Sequence, residues 1–299
     1  MSQVVWSQWD DLQVPEGFVR LSPQNCDLKT DDLKAITFFV PPYLSGREGL
    51  LPSLKMERLQ TLQLLTAGYE DAIEFAKPGI QLCNARGVHN ASTAELAVGL
   101  AISVRRGFQD FIRAQDRQDW TSKRYNSLND SNIAIVGFGS IGQTIAKYLG
   151  VYDVSITGYS RTGKNGSKQI SEFDAQISNY DIIFLILPLN SESDKYFSAA
   201  RLAKMKDGAL LINVARGPIV DTDALVKELN ARRLFAGLDV TDPEPLPKGH
   251  PLWSAPNCII APHVGGNSSA FDSRGKRLIE EQLERLAKGE LLINKVLFT

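Results

Sequence analysis

Asn132-Ile-Ala-Ile-Val-Gly-Phe-Gly-Ser-Ile-Gly142, followed directly by Gln143-Thr-Ile-Ala-Lys-Tyr-Leu149, is the stretch whose reading decides the fold. Ile133 to Val136 is a short apolar, mostly β-branched run that reads as a buried strand. Gly137, Gly139 and Gly142 supply G-x-G-x-x-G, and Ile141, Ile145 and Leu149 carry the chain onward at helical spacing. A strand, a glycine turn and a helix in that order form the fingerprint of a dinucleotide-binding unit. Gly137 permits the tight turn, Gly139 lets backbone approach a pyrophosphate, and Gly142 lets helix and strand pack closely. Unpaired N–H groups at Ser140, Ile141 and Gly142 would then face the phosphates.

Working outward, the 299 residues suffice for two domains. The hydrophobic content of 43% and charged content of 22% are those of a globular protein in water. A formal net charge of -1 provides no global field for nucleic acid or an anionic membrane. Cys26, Cys83 and Cys258 are scattered without metal-ligand spacing, so no metal is expected and the thiols read as reduced. The start MSQVVWSQWDDL lacks a signal pattern and no run reaches spanning length, which predicts a cytoplasmic, membrane-free protein.

Before the glycine turn, Ala35–Val40, Leu59–Thr66 and Ile80–Cys83 read as strands. Ser92-Thr-Ala-Glu95 resembles a capping box, opening a helix that the periodicity continues from Leu96 to Phe111. Trp120 to Asp130 is polar and reads as a loop. After the turn come strands at Val154–Tyr159, Ile182–Leu187, Ala209–Val214, Phe235–Val240 and Cys258–Ala261, with helical stretches such as Thr222–Arg232 between them. Strands alternating with helices predict an α/β protein with parallel sheets. Asp272–Lys288 is an amphipathic helix, and the tail beyond it is expected to return to the first domain.

Ligands of open α/β sheets bind outside the carboxyl ends of the strands. Three polar groups sit there: Arg216 in Asn213-Val-Ala-Arg-Gly-Pro-Ile-Val-Asp221, Glu244 beyond Gly237-Leu-Asp-Val240, and His263 in Ala261-Pro-His-Val-Gly-Gly-Asn267. A guanidinium can hold a carboxylate or polarise a carbonyl, and a carboxylate beside an imidazole favours the protonated ring, a proton donor. Taken singly, each also fits a structural role: a surface arginine, a turn carboxylate before Pro245, a capped histidine. His89, at a domain junction, and His250, in a Pro-rich loop, read as structural.

Together, the glycine turn, Asn-Val-Ala-Arg-Gly-x-x-Val-Asp, Gly-Leu-Asp-Val-x-x-x-Glu-Pro-Leu and Pro-His-x-Gly-Gly resemble the D-isomer-specific 2-hydroxyacid dehydrogenase family over residues 59–296. The resemblance implies two Rossmann-like domains with parallel sheets and an interdomain cleft. It implies a substrate-binding domain of residues 1–97 completed by 272–299, a dinucleotide-binding domain of 98–271, and a homodimer. It assigns Arg216 to the substrate carboxylate and keto oxygen, and pairs Glu244 with the proton donor His263. Ala67 and Gly68 become carboxylate-binding amides, in a loop where Glu70 stands in place of the family's aspartate. Asp239 would orient the nicotinamide carboxamide; Pro188, Ser193, Val214, Ala215 and Gly265 complete the cofactor shell. The implied reaction passes a hydride from the cofactor to a small 2-keto acid, giving a D-2-hydroxy acid.

The strand Val154-Ser-Ile-Thr-Gly-Tyr-Ser-Arg-Thr162 bears on the cofactor. An NAD-binding unit ordinarily ends this strand with an acid that accepts from the ribose 2′-OH. Here Ser160 stands in its place, followed by Arg161 and Thr162, with Lys164 close by. Loss of the acid and gain of cations favour NADP(H) over NAD(H), although Arg161–Lys168 also fits a solvated basic turn. The family points to glyoxylate or hydroxypyruvate as substrate. A phosphoglycerate dehydrogenase and a dinucleotide-sensing corepressor are the alternatives.

Overall fold

The computed structural model describes residues 2–296; Met1 and residues 297–299, the end of the expected 272–299 segment, lie outside the described residues. The chain forms two compact units, residues 1–89 with 269–299, and residues 90–268.

The first unit carries β1 (Val4–Trp6), β2 (Val19–Leu21), β3 (Phe38–Phe39), β4 (Thr61–Gln63) and β5 (Gln81–Cys83), with the short helix α1 (Gly46–Leu50) after β3. The strands form one parallel sheet in the order β2-β1-β3-β4-β5. The three strands expected here are present but shorter, and β1 and β2 were not foreseen. Val19-Arg20-Leu21 is half in water, so it shows no apolar run to read.

In the second unit, α2 (Asn90–Arg105) and α3 (Phe108–Asp116) precede β6 (Asn132–Val136) and α4 (Ser140–Leu149). Then follow β7 (Ser155–Ser160), β8 (Lys168–Gln169), β9 (Ile182–Leu185), α5 (Ala199–Lys204), β10 (Leu210–Asn213), α6 (Thr222–Asn230), β11 (Phe235–Leu238) and β12 (Cys258–Ile260). All seven strands are parallel, in the order β12-β11-β10-β9-β6-β7-β8. Strand order reverses between β6 and β9, so the fold has its topological switch point beside the glycine turn. Along β6, Ala134 and Val136 enter the core on one face while Ile133 and Ile135 enter the core on the other. The two-residue alternation, apolar on both sides, is that of a doubly covered parallel sheet.

The helix expected over Leu96–Phe111 is two helices. Gly107 takes φ 68°, a left-handed conformation that stops α2 and caps α3. The expected capping box is absent, because α2 starts at Asn90 and Ser92 lies inside it, its hydroxyl 2.7 Å from that of Ser268. The unit boundary falls at His89/Asn90, ahead of α2, rather than at 97/98, since a continuous hydrogen-bonded helix moves as one piece.

Helix α7 (Phe271–Ala287) belongs to the first unit, where Phe271, Leu278, Ile279 and Leu283 pack with Val5, Trp9 and Phe38. The tail then bridges antiparallel to β5 at Cys83 and Lys295, and the Val296 amide donates to Leu82 O at 2.8 Å.

Candidate functional site

The glycine turn has the geometry its residues promised. Gly137 sits at φ 105°, and a Cβ there would lie 2.3 Å from Ile186 O, so only glycine fits. A Cβ on Gly142 would lie 2.3 Å from Gly137 O, the close helix–strand contact expected. A Cβ on Gly139 would meet nothing within 4 Å, and no side chain caps α4 there. Ser140, its hydroxyl bonded to Asn90 Oδ1 at 3.2 Å, and half-buried Ile141 open the helix. Open space over a glycine and uncapped N-terminal amides fit a pyrophosphate.

Ser160 ends β7, but its hydroxyl is spent inside the following turn. It accepts from the Gly163 amide at 3.0 Å and lies 2.7 Å from the Ser167 hydroxyl. Ser167 gives its one proton to Lys164 O at 2.6 Å, so Ser160 must donate to Ser167. That proton is therefore unavailable to a phosphate. Arg161, Thr162 and Lys164 are exposed, and Arg161 has no hydrogen-bond or ion-pair partner among the described residues.

Exposed Pro188 follows β9, and its carbonyl accepts from buried Ser193 at 2.6 Å. Ser193 Oγ also accepts from the Asn190 amide at 2.8 Å, so this hydroxyl too braces a loop. Past β10, Val214 and Ala215 are buried, and Ala215 donates to Asn213 Oδ1 at 3.1 Å. The Asn213 amide donates in turn to Arg216 O at 3.0 Å, fixing the backbone from which half-buried Arg216 projects. The Arg216 guanidinium donates to Ala215 O at 2.7 Å.

β10, β11 and β12 are adjacent and in register through Asn213, Leu238 and Ile260. The Arg216, Asp239 and His263 segments therefore leave one edge of the sheet side by side. His263 Nδ1 lies 2.5 Å from Glu244 Oε1, a direct pair between loops 19 residues apart. Both side chains are about half exposed. His263 takes φ 53°, a left-handed conformation uncommon for a side-chain-bearing residue.

Asp239 holds that conformation. Its backbone carbonyl accepts from His263 N at 2.8 Å, and its two carboxylate oxygens accept from Val264 N at 2.7 Å and Gly265 N at 2.9 Å. The expected carboxamide-orienting group is thus a buried anchor of the histidine loop. Burial raises its carboxyl pKa above the ordinary value, with the two amides opposing. A Cβ on Gly265 would lie 2.7 Å from Asp239 Oδ2, so glycine is needed for the contact.

The motifs give Asn213 and Gly217 no role of their own, yet both shape the site. A Cβ on Gly217 would lie 1.8 Å from Thr241 O, so this glycine lets the arginine loop seat on the backbone leading to Glu244. Nothing local to Arg-Gly-Pro announces a contact 24 residues away. Gly217→Ala is expected to cost at least the ~1–3 kcal/mol of ordinary overpacking, because backbone must move. Urea unfolding measures it, and an unchanged midpoint would remove Gly217 from this role.

In the first unit, the Thr66–Tyr69 loop follows β4, with Ala67 exposed and Gly68 half-buried. Neither the Ala67 nor the Gly68 N–H has a partner among the described residues. Glu70, the residue replacing the family's aspartate, accepts from the Tyr69 amide at 2.9 Å.

Residues 98–265 match the model of the D-isomer specific 2-hydroxyacid dehydrogenase NAD-binding domain. A glyoxylate reductase of Thermofilum pendens is 33% identical over 256 residues, 79% of this chain and 75% of that protein. The human glyoxylate reductase/hydroxypyruvate reductase is 34% identical over 204 residues, 64% of this chain and 62% of its own. A family member of known structure from Aeromonas salmonicida subsp. salmonicida superposes over 100% of both chains with a TM-score of 0.86 and 26% identity. The chain belongs to the D-isomer-specific 2-hydroxyacid dehydrogenase family. It is accordingly an oxidoreductase of small hydroxy and keto acids that works with a nicotinamide dinucleotide.

Proposed function

We propose that this enzyme reduces a small 2-keto acid, of the glyoxylate or hydroxypyruvate kind, to the D-2-hydroxy acid with NADPH. The observation that carries the reading is the 2.5 Å pair of His263 Nδ1 and Glu244 Oε1. With Nδ1–H donated to Glu244, Nε2 is the nitrogen that can carry the transferable proton. Bound cofactor would supply the hydride. In the second unit, Arg216 engages the keto oxygen and carboxylate, and stabilises negative charge as it develops on oxygen. His263 Nε2 gives that oxygen a proton, and Glu244, accepting at Nδ1, holds the ring's orientation throughout. Asp239 keeps the histidine loop in its left-handed turn. In the first unit, which we read as substrate-binding, the Ala67 and Gly68 amides hold the carboxylate.

Three features support the cofactor half of the proposal: no acid ends β7, Arg161 has no partner among the described residues, and Lys164 is exposed nearby. Gly137, Gly139, Ser140, Ile141 and Gly142 are assigned to the pyrophosphate, with Pro188, Ser193, Val214, Ala215 and Gly265 lining or bracing the remaining shell. We further propose a cytoplasmic homodimer. Helix α3 buries none of its residues, Phe111 and Ile112 lie open, and Trp120 is fully exposed. A second copy covering these apolar side chains would suit them. The unpaired thiols of Cys26, Cys83 and Cys258 suit a reducing compartment.

The test is NADPH and NADH oxidation by purified protein against a panel of 2-keto acids, with chiral analysis of the product. Absence of reduction across the panel would overturn the reading. Arg216→Lys offers a second test, because an ammonium cannot reproduce the two parallel bonds of a guanidinium. It is expected to raise KM for the keto acid about tenfold or more and to lower kcat. If both parameters stayed at wild-type values, Arg216 would have no part in substrate binding.

A further inference from the structure

The Thr66–Tyr69 loop is held by a ladder of donors from the segment after β5. Leu65 O accepts from His89 Nε2 at 2.7 Å, Thr66 O from the Ala85 amide at 2.8 Å, and Ala67 O from Asn84 Nδ2 at 2.9 Å. The Thr66 hydroxyl then donates to Gly68 O at 2.7 Å. In a trans peptide, a carbonyl and the N–H of the next residue point in opposite directions. Pinning the carbonyls of Thr66 and Ala67 from inside therefore turns the amides of Ala67 and Gly68 outward.

Asn84 carries the last rung of this ladder. Its Oδ1 accepts from the Arg86 amide at 3.1 Å while its Nδ2 donates to Ala67 O, which allows only one orientation of the side chain. Its backbone is fixed as well, the N–H donating to Asn294 O at 3.1 Å and the carbonyl accepting from buried Gln63 at 3.2 Å. His89, at the other end of the ladder, is buried and stacks on Phe271 with ring centroids 5.6 Å apart. A rigid strand end thus presents one side-chain donor to one exposed loop carbonyl.

We propose that Asn84 is a positioning residue for substrate: by pinning the Ala67 carbonyl, it aims the Gly68 amide at the 2-keto acid's carboxylate. This rests on the assignment of the Ala67 and Gly68 amides to that carboxylate. Asn84 touches no substrate itself, so its loss acts on carboxylate affinity and leaves the proton donor and the cofactor alone.

Two variants separate aiming from mere support of the turn. Asn84→Asp keeps an oxygen to accept from Arg86 N but loses the donor to Ala67 O; Asn84→Ala loses both. Each is expected to raise KM for glyoxylate and Kd for oxalate, the carboxylate probe, about tenfold. The turnover number should stay within about twofold and NADPH affinity should be unchanged, since neither depends on the amide's direction. Repeating the Asn84→Asp titrations in 0.5 M NaCl screens its added charge, and the rise should persist. Wild-type values in Asn84→Asp, with a loss confined to Asn84→Ala, would reduce Asn84 to a turn former and overturn the proposal. So would a rise that salt abolishes, or an equal loss of NADPH affinity. A wild type that binds oxalate with the Asn84 dependence but reduces no keto acid would overturn the proposed function and leave the positioning role standing. A wild type that binds no carboxylate would overturn both.

Discussion

Replacing His263 by alanine is expected to lower the rate of keto-acid reduction by about two to four orders of magnitude, the usual contribution of a positioned proton donor. The variant should still bind the cofactor, because the glycine turn and β7 lie on strands away from the histidine loop. The loop itself should persist, since its anchor is Asp239 accepting from the backbone of residues 263–265, and those contacts do not use the imidazole. The imidazole meets Glu244 at its Nδ1, so the variant also leaves that carboxylate without its partner. Glu244 is exposed enough for water to replace the ring, so a lost rate reports on the chemistry rather than on unfolding. Single-turnover reduction, with cofactor binding followed separately, gives both quantities. Turnover near that of the wild type would remove His263 from the chemistry.

The double change Ser160→Asp with Arg161→Ala is expected to turn preference from NADPH toward NADH. An arginine–phosphate contact contributes on the order of 1.5–3 kcal/mol, roughly ten- to a hundredfold in preference. Aspartate then adds repulsion toward a 2′-phosphate and an acceptor for the ribose hydroxyl. The structure makes the substitution reasonable. Ser160 accepts from the Gly163 amide, which an aspartate oxygen can do too, and the Ser167 hydroxyl can turn from Lys164 O to donate to the new carboxylate. Arg161 is exposed and unpaired among the described residues, so its loss should leave stability nearly unchanged. kcat/KM for both cofactors at one salt concentration is the measurement, because screening alters phosphate contacts. A wild type that already prefers NADH, or a double variant that keeps its NADPH preference, would overturn this reading of the strand end.

The parts of the fold that could be read directly are those whose signal is local. β6 is a run of apolar residues buried on both faces, and three glycines at set spacing follow it. The strands of the second unit other than the two-residue β8, and the ends of α6 and α7 to within two residues, followed from periodicity in the same way. β2 escaped because Val19 and Arg20 are exposed and leave no apolar run to read. The division of one expected helix into α2 and α3 escaped because a lone glycine inside a helical pattern is tolerated; only its left-handed conformation shows that Gly107 ends one helix and caps the next.

For the candidate site, residue types and strand-end positions were legible in Arg216, Glu244 and His263, and family motifs supplied their expected roles. Those motifs also implied the contact of Glu244 with His263; the contacts of Asp239, Ser160 and Gly217 were not legible. The chain alone determined that a strand, a glycine turn and a helix occur in that order, and that a guanidinium, a carboxylate and an imidazole follow successive strands. Tertiary structure put Glu244 against His263 as the motifs implied, and it decided that Asp239 anchors the histidine loop and that the Ser160 proton stays within its own turn. It also decided that Gly217 seats one site loop against another. The reason is physical. Periodicity and backbone permissiveness are properties of neighbours in sequence, whereas a hydrogen bond's direction and a sub-van der Waals approach depend on atoms that only the folded sheet brings together.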